Sequence, residues 1–465
     1  MTIKISQTYH PVGHGTFHTG TAWGKKHGMF RWAYDCGSKR KKYLAATITE
    51  LARYSCKWRF DAAVDLLVIS HFDDDHVNGV EQFLRTWKVK WLAIPYIHLA
   101  QKLESTSDHG GASCSDSTAL FQLDPERWLI SRGLEGRVKK ILQVRGGPQE
   151  KTEERDSLLP EAPLDSPDEH DLEEHASNSR RPYGTWHGVS ELDQFAKPES
   201  SSLDKGTKSS SLYTLNHHQA FKALNSNIEF IFYNSDEPNL CTKLEAGLVV
   251  AKRSGVDINL VSDEIKKVLL EYKIGIPGFE LRSGWRKKLR YVYDHHFGKS
   301  SKKRNSISLC LYTRPIADTP ITTDTTTKEF IFRNANLSLG DLTINPHTIR
   351  SLRKHLGDAR WSALSTVQIP HHGSRHSWHA GAASFFAAPY FIHCVPNSST
   401  HHPHPEVTAD LKTKTSGTEE DPNRLTFEAN YILGVKSYME MSDIYSSSPG
   451  SINLCVGPWC YLLCE

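Results

Sequence analysis

The segment from Val64 to His76 constrains this chain more than any other. Its first part, Val64 to Ser70, is an almost unbroken apolar run, which is the pattern of a strand covered on both faces of its sheet. The run leads directly into a cluster of acids and histidines, His71-Phe72-Asp73-Asp74-Asp75-His76. A buried strand with this ending predicts an α/β sheet that presents ligands from loops at one edge.

The acids and histidines of this ligand run, residues 71–76, require a cation. His71 and Asp73 are two residues apart in an extended exit from a strand, so they point to the same side and can bind one ion. Asp75 and His76 begin the next element and can turn toward a second ion, at the separation of roughly 3.5–4 Å used by two-metal hydrolases. Five ionisable side chains in one turn would otherwise repel one another severely. We therefore predict a dinuclear metal site.

Later strand ends carry further candidate ligands. Asp341 follows Gly340 at a predicted strand end and is the candidate to bridge the two ions. His371 or His372, together with His402, would complete the coordination shells. Other histidines lack ligand spacing, and we expect surface or core roles for His10, His14, His18, His187, His295 and His296.

The residues of this site resemble a known signature. The run from Ser70 to Val80 resembles that of the metallo-β-lactamase superfamily, and Asp73, in place of the usual second histidine, is typical of the branch of the competence protein ComEC. Further matching motifs follow in order: Val12-Gly13-His14-Gly15, Tyr34-Asp35-Cys36-Gly37, Asn305-Ser306-Ile307-Ser308-Leu309, Leu339-Gly340-Asp341, Pro370-His371-His372-Gly373-Ser374, and Asn397 with His402-Pro403-His404-Pro405. The common pattern has a separate histidine before the Gly-Asp loop, and here the double histidine is the alternative source of that ligand.

The resemblance implies an α/β fold, the metallo-β-lactamase αβ/βα four-layer sandwich, with a long insertion. It also implies that Asp35 orients a ligand and that a metal-bound hydroxide is the nucleophile. We predict the two halves of the core at 1–145 and 301–440, with a helical and basic insertion at 212–300. Residues 146–211, rich in acid and serine, are predicted to be a flexible insertion. Residues 441–465 are predicted to be a cysteine-containing tail.

One stretch of the chain combines positive charge with aromatic side chains. The net charge is only +3, but residues 282–304 are basic and interleaved with aromatic side chains. A solvated helix face is one interpretation, and steering of anions toward a hydrolytic site is the other. On the second interpretation, the residues that bind nucleic acid are Arg282, Arg286, Lys287, Lys288 and Arg290.

These features predict a metal-dependent hydrolase, a phosphodiesterase or nuclease that acts on DNA or RNA. Asp75, His371 and His372 are the catalytic candidates, and whichever of the two histidines is not a ligand can contact the phosphoryl group or protonate the leaving oxygen. The cofactors are two divalent ions, Zn²⁺ or Mn²⁺, because Asp73 makes the first site richer in oxygen. The alternatives are a small-molecule phosphodiesterase resembling phosphorylcholine esterases, and a metal-stabilised binding module.

Hydropathy and cysteine usage indicate the compartment. Apolar runs such as Leu66 to Ile69 fall far short of the roughly 20 residues that a membrane-spanning helix needs. The first residues lack the apolar segment of a signal peptide. Nine cysteines include no CxxC pair, which favours buried reduced thiols over disulfides. We therefore expect a cytoplasmic protein without membrane contact.

Overall fold

A computed structural model describes most of the predicted core. The described residues are 2–24, 27–57, 63–107, 114–146, 187–188, 197–198, 212–217, 220–223, 228–234, 256–278, 283–297, 307–315, 333–397, 399, 401–412, 424–442 and 452–457. Within these ranges the strands form one ten-stranded sheet and one eight-stranded sheet.

The ten-stranded sheet combines residues from both ends of the sequence. Its strands in spatial order are β18 (Ile452–Gly457), β17 (Gly434–Ser442), β1 (Thr2–Tyr9), β2 (His18–Gly24), β3 (His27–Tyr34), β4 (Ala63–Val68), β5 (Lys88–Pro95), β6 (Val138–Arg145), β9 (Leu212–Asn216) and β8 (Lys197–Pro198). Strands β3 to β6 and β9 are parallel, whereas the pairs from β18 to β3 are antiparallel.

The eight-stranded sheet is also mixed. Its strands in spatial order are β16 (Leu425–Ala429), β15 (Tyr390–Cys394), β14 (Leu364–Gln368), β13 (Ala335–Ser338), β12 (Leu309–Pro315), β11 (Ile228–Asn234), β10 (Ala220–Ala223) and β7 (His187–Gly188). Strands β13 to β16 are parallel, and β10 to β13 pair in antiparallel fashion.

Helices cover the outer faces of both sheets. The first sheet carries α1 (Lys41–Lys57), α2 (Asp74–Val77), α3 (Val80–Thr86), α4 (Leu99–Ser107), α5 (Asp116–Leu123), α6 (Pro125–Ser131), α7 (Ile258–Glu271) and α8 (Trp285–His296). The second carries α9 (Pro346–Leu356), α10 (Asp358–Ser362) and α11 (Pro405–Lys412). Short 3-10 turns span Pro370–Gly373 and Ala382–Phe385. No helix in the described ranges combines the length and apolar composition needed to cross a membrane.

A third apolar core lies between the two sheets. Trp32 of β3 and Phe230 of β11 belong to it, and their ring centroids are 5.4 Å apart. The layers are therefore helices, sheet, sheet and helices. This order confirms the predicted fold class, the αβ/βα four-layer sandwich.

Strand β4 shows why its sequence is apolar on both sides. Leu66 and Val68 pack into the core between the sheets, while Val64 and Leu67 pack against the helices of the outer layer. Because both faces of the strand are buried, the alternation of polar and apolar residues disappears. The predicted central strand is confirmed, and it ends where the ligand run begins.

The predicted insertions are only partly described. Of residues 146–211, the structure describes Gly146 and the two short strands β7 and β8, and the remainder lies outside the described residues. The described parts of 212–300 form β9 to β11, α7 and α8, which extend the two sheets and the outer helix layer. Strand β18, within the segment predicted to be a tail, is the edge of the first sheet.

Candidate metal centre

The ligand run leaves β4 where the two sheets meet. The N–H of Leu309, the first residue of β12, donates to the carbonyl oxygen of Ser70 at 2.8 Å. Strand β13 ends nearby at Ser338, and Gly340 follows it with a φ of +56°. A Cβ on Gly340 would lie 2.3 Å from Ser308 Oγ and 2.7 Å from the Cβ of Ser70. Glycine is therefore required for Asp341 to reach the end of β4.

His71, His76 and Asp341 form a largely buried group that we call the inner cluster. The Nε2 atom of His71 lies 3.4 Å from Asp341 Oδ2, and that of His76 lies 3.3 Å from Asp341 Oδ1. Each of these residues offers a ligand atom within 4.8 Å of the others. Both Nε2 atoms and Asp341 Oδ1 are buried, and the described residues provide none of them with a hydrogen-bond partner.

His14, Asp75 and His372 form a second group, the outer cluster. Asp75 Oδ2 lies 3.5 Å from His14 Nε2 and 3.4 Å from His372 Nε2. The two imidazole rings are packed together, with centroids 4.3 Å apart. The Nε2 atom of His372 is buried and has no hydrogen-bond partner within the part of the chain that the structure describes.

Hydrogen bonds fix the tautomers of three imidazoles. His76 Nδ1 donates to Asp35 Oδ2 at 2.7 Å, and His372 Nδ1 donates to the carbonyl oxygen of Cys394 at 2.7 Å. His71 Nδ1 lies 2.9 Å from Ser70 Oγ, whose own proton goes to Asp35. Each Nδ1 is thus the donor, which leaves a lone pair on each Nε2 facing a carboxylate. Metal ligands in proteins are oriented in this way, so the donor set fits divalent ions.

Asp35 is held in a conformation that serves this purpose. Its φ of +56° lies in the left-handed region, which is unusual for an aspartate. Its carboxylate accepts from the N–H and the hydroxyl of Ser70, both at 2.7 Å, as well as from His76. The buried carboxylate of Asp35 thereby positions Ser70 at the end of the strand and His76 in the ligand run.

The charges around the inner cluster favour a positive charge beside Asp341. Burial alone would raise the pKa of Asp341, but the charges of His76 and His71 outweigh it and hold this pKa well below its ordinary value. Burial would lower the pKa of His76, but Asp341 and Asp35 outweigh it and hold that pKa well above its ordinary value. A protonated imidazole or a divalent ion can supply the positive charge that the carboxylates require.

The double histidine sends its two side chains in different directions. Both His371 and His372 have a positive φ, 48° and 56°, which is strained for residues other than glycine. The N–H of His371 donates to the carbonyl oxygen of Gly340 at 3.1 Å, which links this turn to the Asp341 loop. His372 enters the outer cluster, whereas the side chain of His371 is 45% exposed and lies 2.9 Å from Ser377 Oγ through Nδ1.

The structure groups the predicted ligands differently from the sequence interpretation. His76 lies with His71 and Asp341, whereas Asp75 lies in the other cluster. Asp73 belongs to neither three-residue group, and its Oδ2 lies 3.9 Å from His71 Nε2, at the edge of the inner cluster.

His402 and His371 lie beside the clusters. The ring centroid of His402 is 5.7 Å from that of His14 and 6.4 Å from that of His372. Burial lowers the pKa of His402 to about 4, which favours its neutral form. His371 Nδ1 is 3.9 Å from Asp341 Oδ2.

His14 was expected to have no part in the site, and the structure places it there. The turn that contains it is joined to the ligand run, because the N–H of Thr16 donates to the carbonyl oxygen of Asp75 at 3.2 Å. The sequence did offer one signal for His14: it lies between Gly13 and Gly15, in a motif that resembles one of the metallo-β-lactamase superfamily. His10 and His18 are buried core residues, as expected, and His18 stacks on Tyr9 with centroids 4.2 Å apart.

The predicted basic surface requires a correction at Arg286. Its side chain is buried, and it donates to the carbonyl oxygens of Thr106 at 2.7 Å and Cys114 at 3.0 Å, and to Asp116 Oδ1 at 3.3 Å. Arg286 therefore ties α8 to α4 and α5 and is not exposed to a polyanion. The sequence shows the charge of Arg286 but not which face of α8 packs against α4 and α5.

The other basic residues of that surface differ in solvent exposure and in ion pairing. Lys287 and Lys288 are exposed on α8. Arg290 forms an ion pair with Asp294 at 2.9 Å and lies over the Tyr293 ring. Arg282 lies outside the described residues. Lys287 and Lys288 are therefore the part of the predicted patch that α8 exposes to solvent.

Comparisons with known proteins assign little. No family model matches the sequence, and no curated protein matches it. Among solved structures the chain is similar to the crystal structure of a long form RNase Z from yeast, with 8% sequence identity and a TM-score of 0.31, over 98% of this chain and 49% of that one. The chain thus spans about half the length of that protein, and a likeness of this size identifies neither family nor activity.

Proposed function

We propose that the chain is a metal-dependent phosphodiesterase that acts on nucleic acid, from the ComEC-like branch of the metallo-β-lactamase superfamily. The observation that carries this proposal is the set of buried Nε2 lone pairs of His71, His76 and His372, each facing a carboxylate without a hydrogen-bond partner among the described residues. Burying such groups is costly unless a ligand satisfies them.

Each cluster would hold one divalent ion. The inner ion would be held by His71, His76 and Asp341, with Asp73 at its edge, and the outer ion by His14, Asp75 and His372, with His402 beside it. The mixture of imidazole and carboxylate suits Zn²⁺ or Mn²⁺. When bound, two such ions neutralise charge on a phosphoryl group and make water more acidic. Asp341 would bind the inner ion, because its two oxygens face His71 and His76, and its bridging of the two ions stays a prediction from the sequence.

The protein's own residues would orient the substrate and move the proton. His371 is the candidate general acid, because its side chain is 45% exposed and does not belong to either cluster. Ser377 fixes the ring through Nδ1, which leaves Nε2 to contact the leaving oxygen. Asp35 would keep His76 in its ligand orientation.

Activity and metal content test this proposal together. The full chain is assayed on a small phosphodiester, bis(4-nitrophenyl) phosphate, and on single-stranded DNA, duplex DNA and RNA. We expect chelation to abolish cleavage, and Zn²⁺ or Mn²⁺ to restore it. His371→Asn should keep its metal but lose roughly 10²–10⁴-fold in turnover, the usual contribution of a general acid. Protein without transition metal whose activity resists chelation would contradict the proposal.

A further inference from the structure

We propose that a second basic surface, beside the outer cluster, binds the polynucleotide strand that flanks the scissile phosphate. We call it the rim surface, and it consists of Lys39, Arg40, Lys41, Lys42, Tyr43 and Tyr431. The inference rests on the proposed function and narrows its substrate class, because a small phosphodiester would not need such a surface.

The rim surface starts at the candidate ligands. The ammonium group of Lys39 lies 4.0 Å from Asp75 Oδ2, and its side chain is 58% exposed. The N–H of Lys39 donates to the carbonyl oxygen of His14 at 2.7 Å. The basic run therefore extends outward from the outer cluster, where a strand passing over that cluster would place its next phosphates.

The position of these charges is unfavourable for the helix itself. Lys41 and Lys42 occupy the first turn of α1, and this first turn contains no acidic residue. The N-terminus of a helix is its positive end, so acids stabilise it and bases do not. Among the described residues, no carboxylate forms an ion pair with Arg40, Lys41 or Lys42. Exposed, unbalanced charges at a helix N-terminus are suited to an anionic ligand.

Aromatic packing fixes this surface against the metal centre. The rings of Tyr43 and Tyr431 are stacked with centroids 4.6 Å apart, and the guanidinium of Arg40 lies 5.0 Å above the centroid of Tyr431. Tyr431 also covers Gly13, where a Cβ would lie 2.2 Å from the ring. Its N–H donates to Asn397 Oδ1 at 2.8 Å. The cation of Arg40 is thus positioned beside the turn that carries a candidate ligand.

The rim surface also has the better geometry of the two basic regions. The helix α8, which carries the exposed lysines, is connected to the ligand run through other residues. Arg286 of α8 donates to the carbonyl oxygen of Cys114, and the N–H of the next residue, Ser115, donates to Asp74 Oδ1 at 3.1 Å. The rim surface contacts a candidate ligand directly. A strand engaged at the metal centre would reach the rim surface first.

Binding of a labelled single-stranded oligonucleotide tests the proposal. Arg40→Ala with Lys42→Ala should weaken binding about tenfold near 0.15 M salt and reduce the slope of log K against log salt by about 1.4, as expected for two lost phosphate contacts. The matched control is Lys88→Ala with Lys139→Ala, exposed lysines at the starts of β5 and β6, the sheet edge opposite the ligand run. The control should bind and cleave as the unmodified protein does.

Three outcomes would overturn the proposal: an unchanged salt slope, a larger loss on changing Lys287 and Lys288 to Ala, or equal losses on the oligonucleotide and on bis(4-nitrophenyl) phosphate. The thermal midpoint of the rim variant should equal or exceed that of the unmodified protein, since the changes remove repulsion at α1, and this result shows that it folds. If the unmodified protein cleaves no phosphodiester but the variant still loses oligonucleotide binding, the proposed function fails and the rim surface stands.

Discussion

The inner and outer clusters offer similar ligand atoms but are supported in different ways. Both imidazoles of the inner cluster are tied through Nδ1 to the buried system of Asp35 and Ser70. In the outer cluster, a backbone carbonyl orients His372, whereas the described residues give the His14 ring no hydrogen bond beyond its approach to Asp75. A charged, buried support fixes a ligand more firmly than ring packing does.

This difference predicts that the two ions would not be equivalent. The inner ion should be held more tightly and exchange slowly, because its ligands are oriented before it binds. The outer ion should depend on a turn, residues 12–15, that is itself positioned by contacts with the ligand run. Three substitutions test this comparison, in order of decreasing effect.

Asp341→Ala should have the largest effect. It removes the carboxylate that faces both inner histidines, so we expect at least about a thousandfold loss of turnover, equivalent to several kcal/mol of transition-state stabilisation. Elemental analysis should show fewer ions per chain, while far-UV circular dichroism stays unchanged because Asp341 lies in a loop after β13. Full metal content with full activity would remove Asp341 from the site.

Asp35→Asn should have an intermediate effect that falls on the inner cluster. The substitution keeps the size of the side chain but removes the negative charge of the group that accepts the hydrogen bond from His76. Removing such a partner of a metal ligand typically lowers metal affinity or activity by about 10–100-fold. Competition with a chromophoric chelator would measure the affinities of the two ions. A weakened outer ion with an unchanged inner ion would reverse the comparison.

His14→Gln should have the smallest effect. Because the described residues give this ring no orienting hydrogen bond, we expect metal affinity or activity to fall roughly tenfold or less. This loss is smaller than the one expected for Asp35→Asn. The inner ion should remain bound, so that metal content falls toward one ion per chain. His376→Gln, at an exposed position, is the matched control. If His14→Gln releases both ions, the two clusters are not separable.

Local sequence was sufficient for the elements that are buried on both faces or follow a clear period. The segment 64–70 predicts the central strand, and the structure gives β4 at Ala63–Val68. Strand order could not be predicted in this way, because it depends on contacts between distant segments. The pairing of β1 with β17 is one example.

The site was predictable where ligands are adjacent in sequence, and less so where the fold assembles them. The ligand run specifies four candidates by spacing alone, and the structure places all four at or beside the two clusters. Which cluster each of them joins depends on the turn between β4 and α2, which spacing does not determine. His14 has no neighbour at ligand spacing, and it reaches Asp75 only because Gly15 lets its turn pack closely on Gly37, where a Cβ would lie 2.4 Å from the carbonyl oxygen.

The pairing of β1 with β17 has a consequence for the order in which this protein can fold during synthesis. The register joins Thr2 to Ser442 and Tyr9 to Val435. At about 5–20 residues per second, a ribosome needs roughly 20–90 s to make the chain between them. Throughout that interval one edge of β1 has no partner strand, and an open edge can pair with another chain. Nascent chains should therefore be most prone to aggregate before residue 434 emerges, and slower translation should lengthen that period.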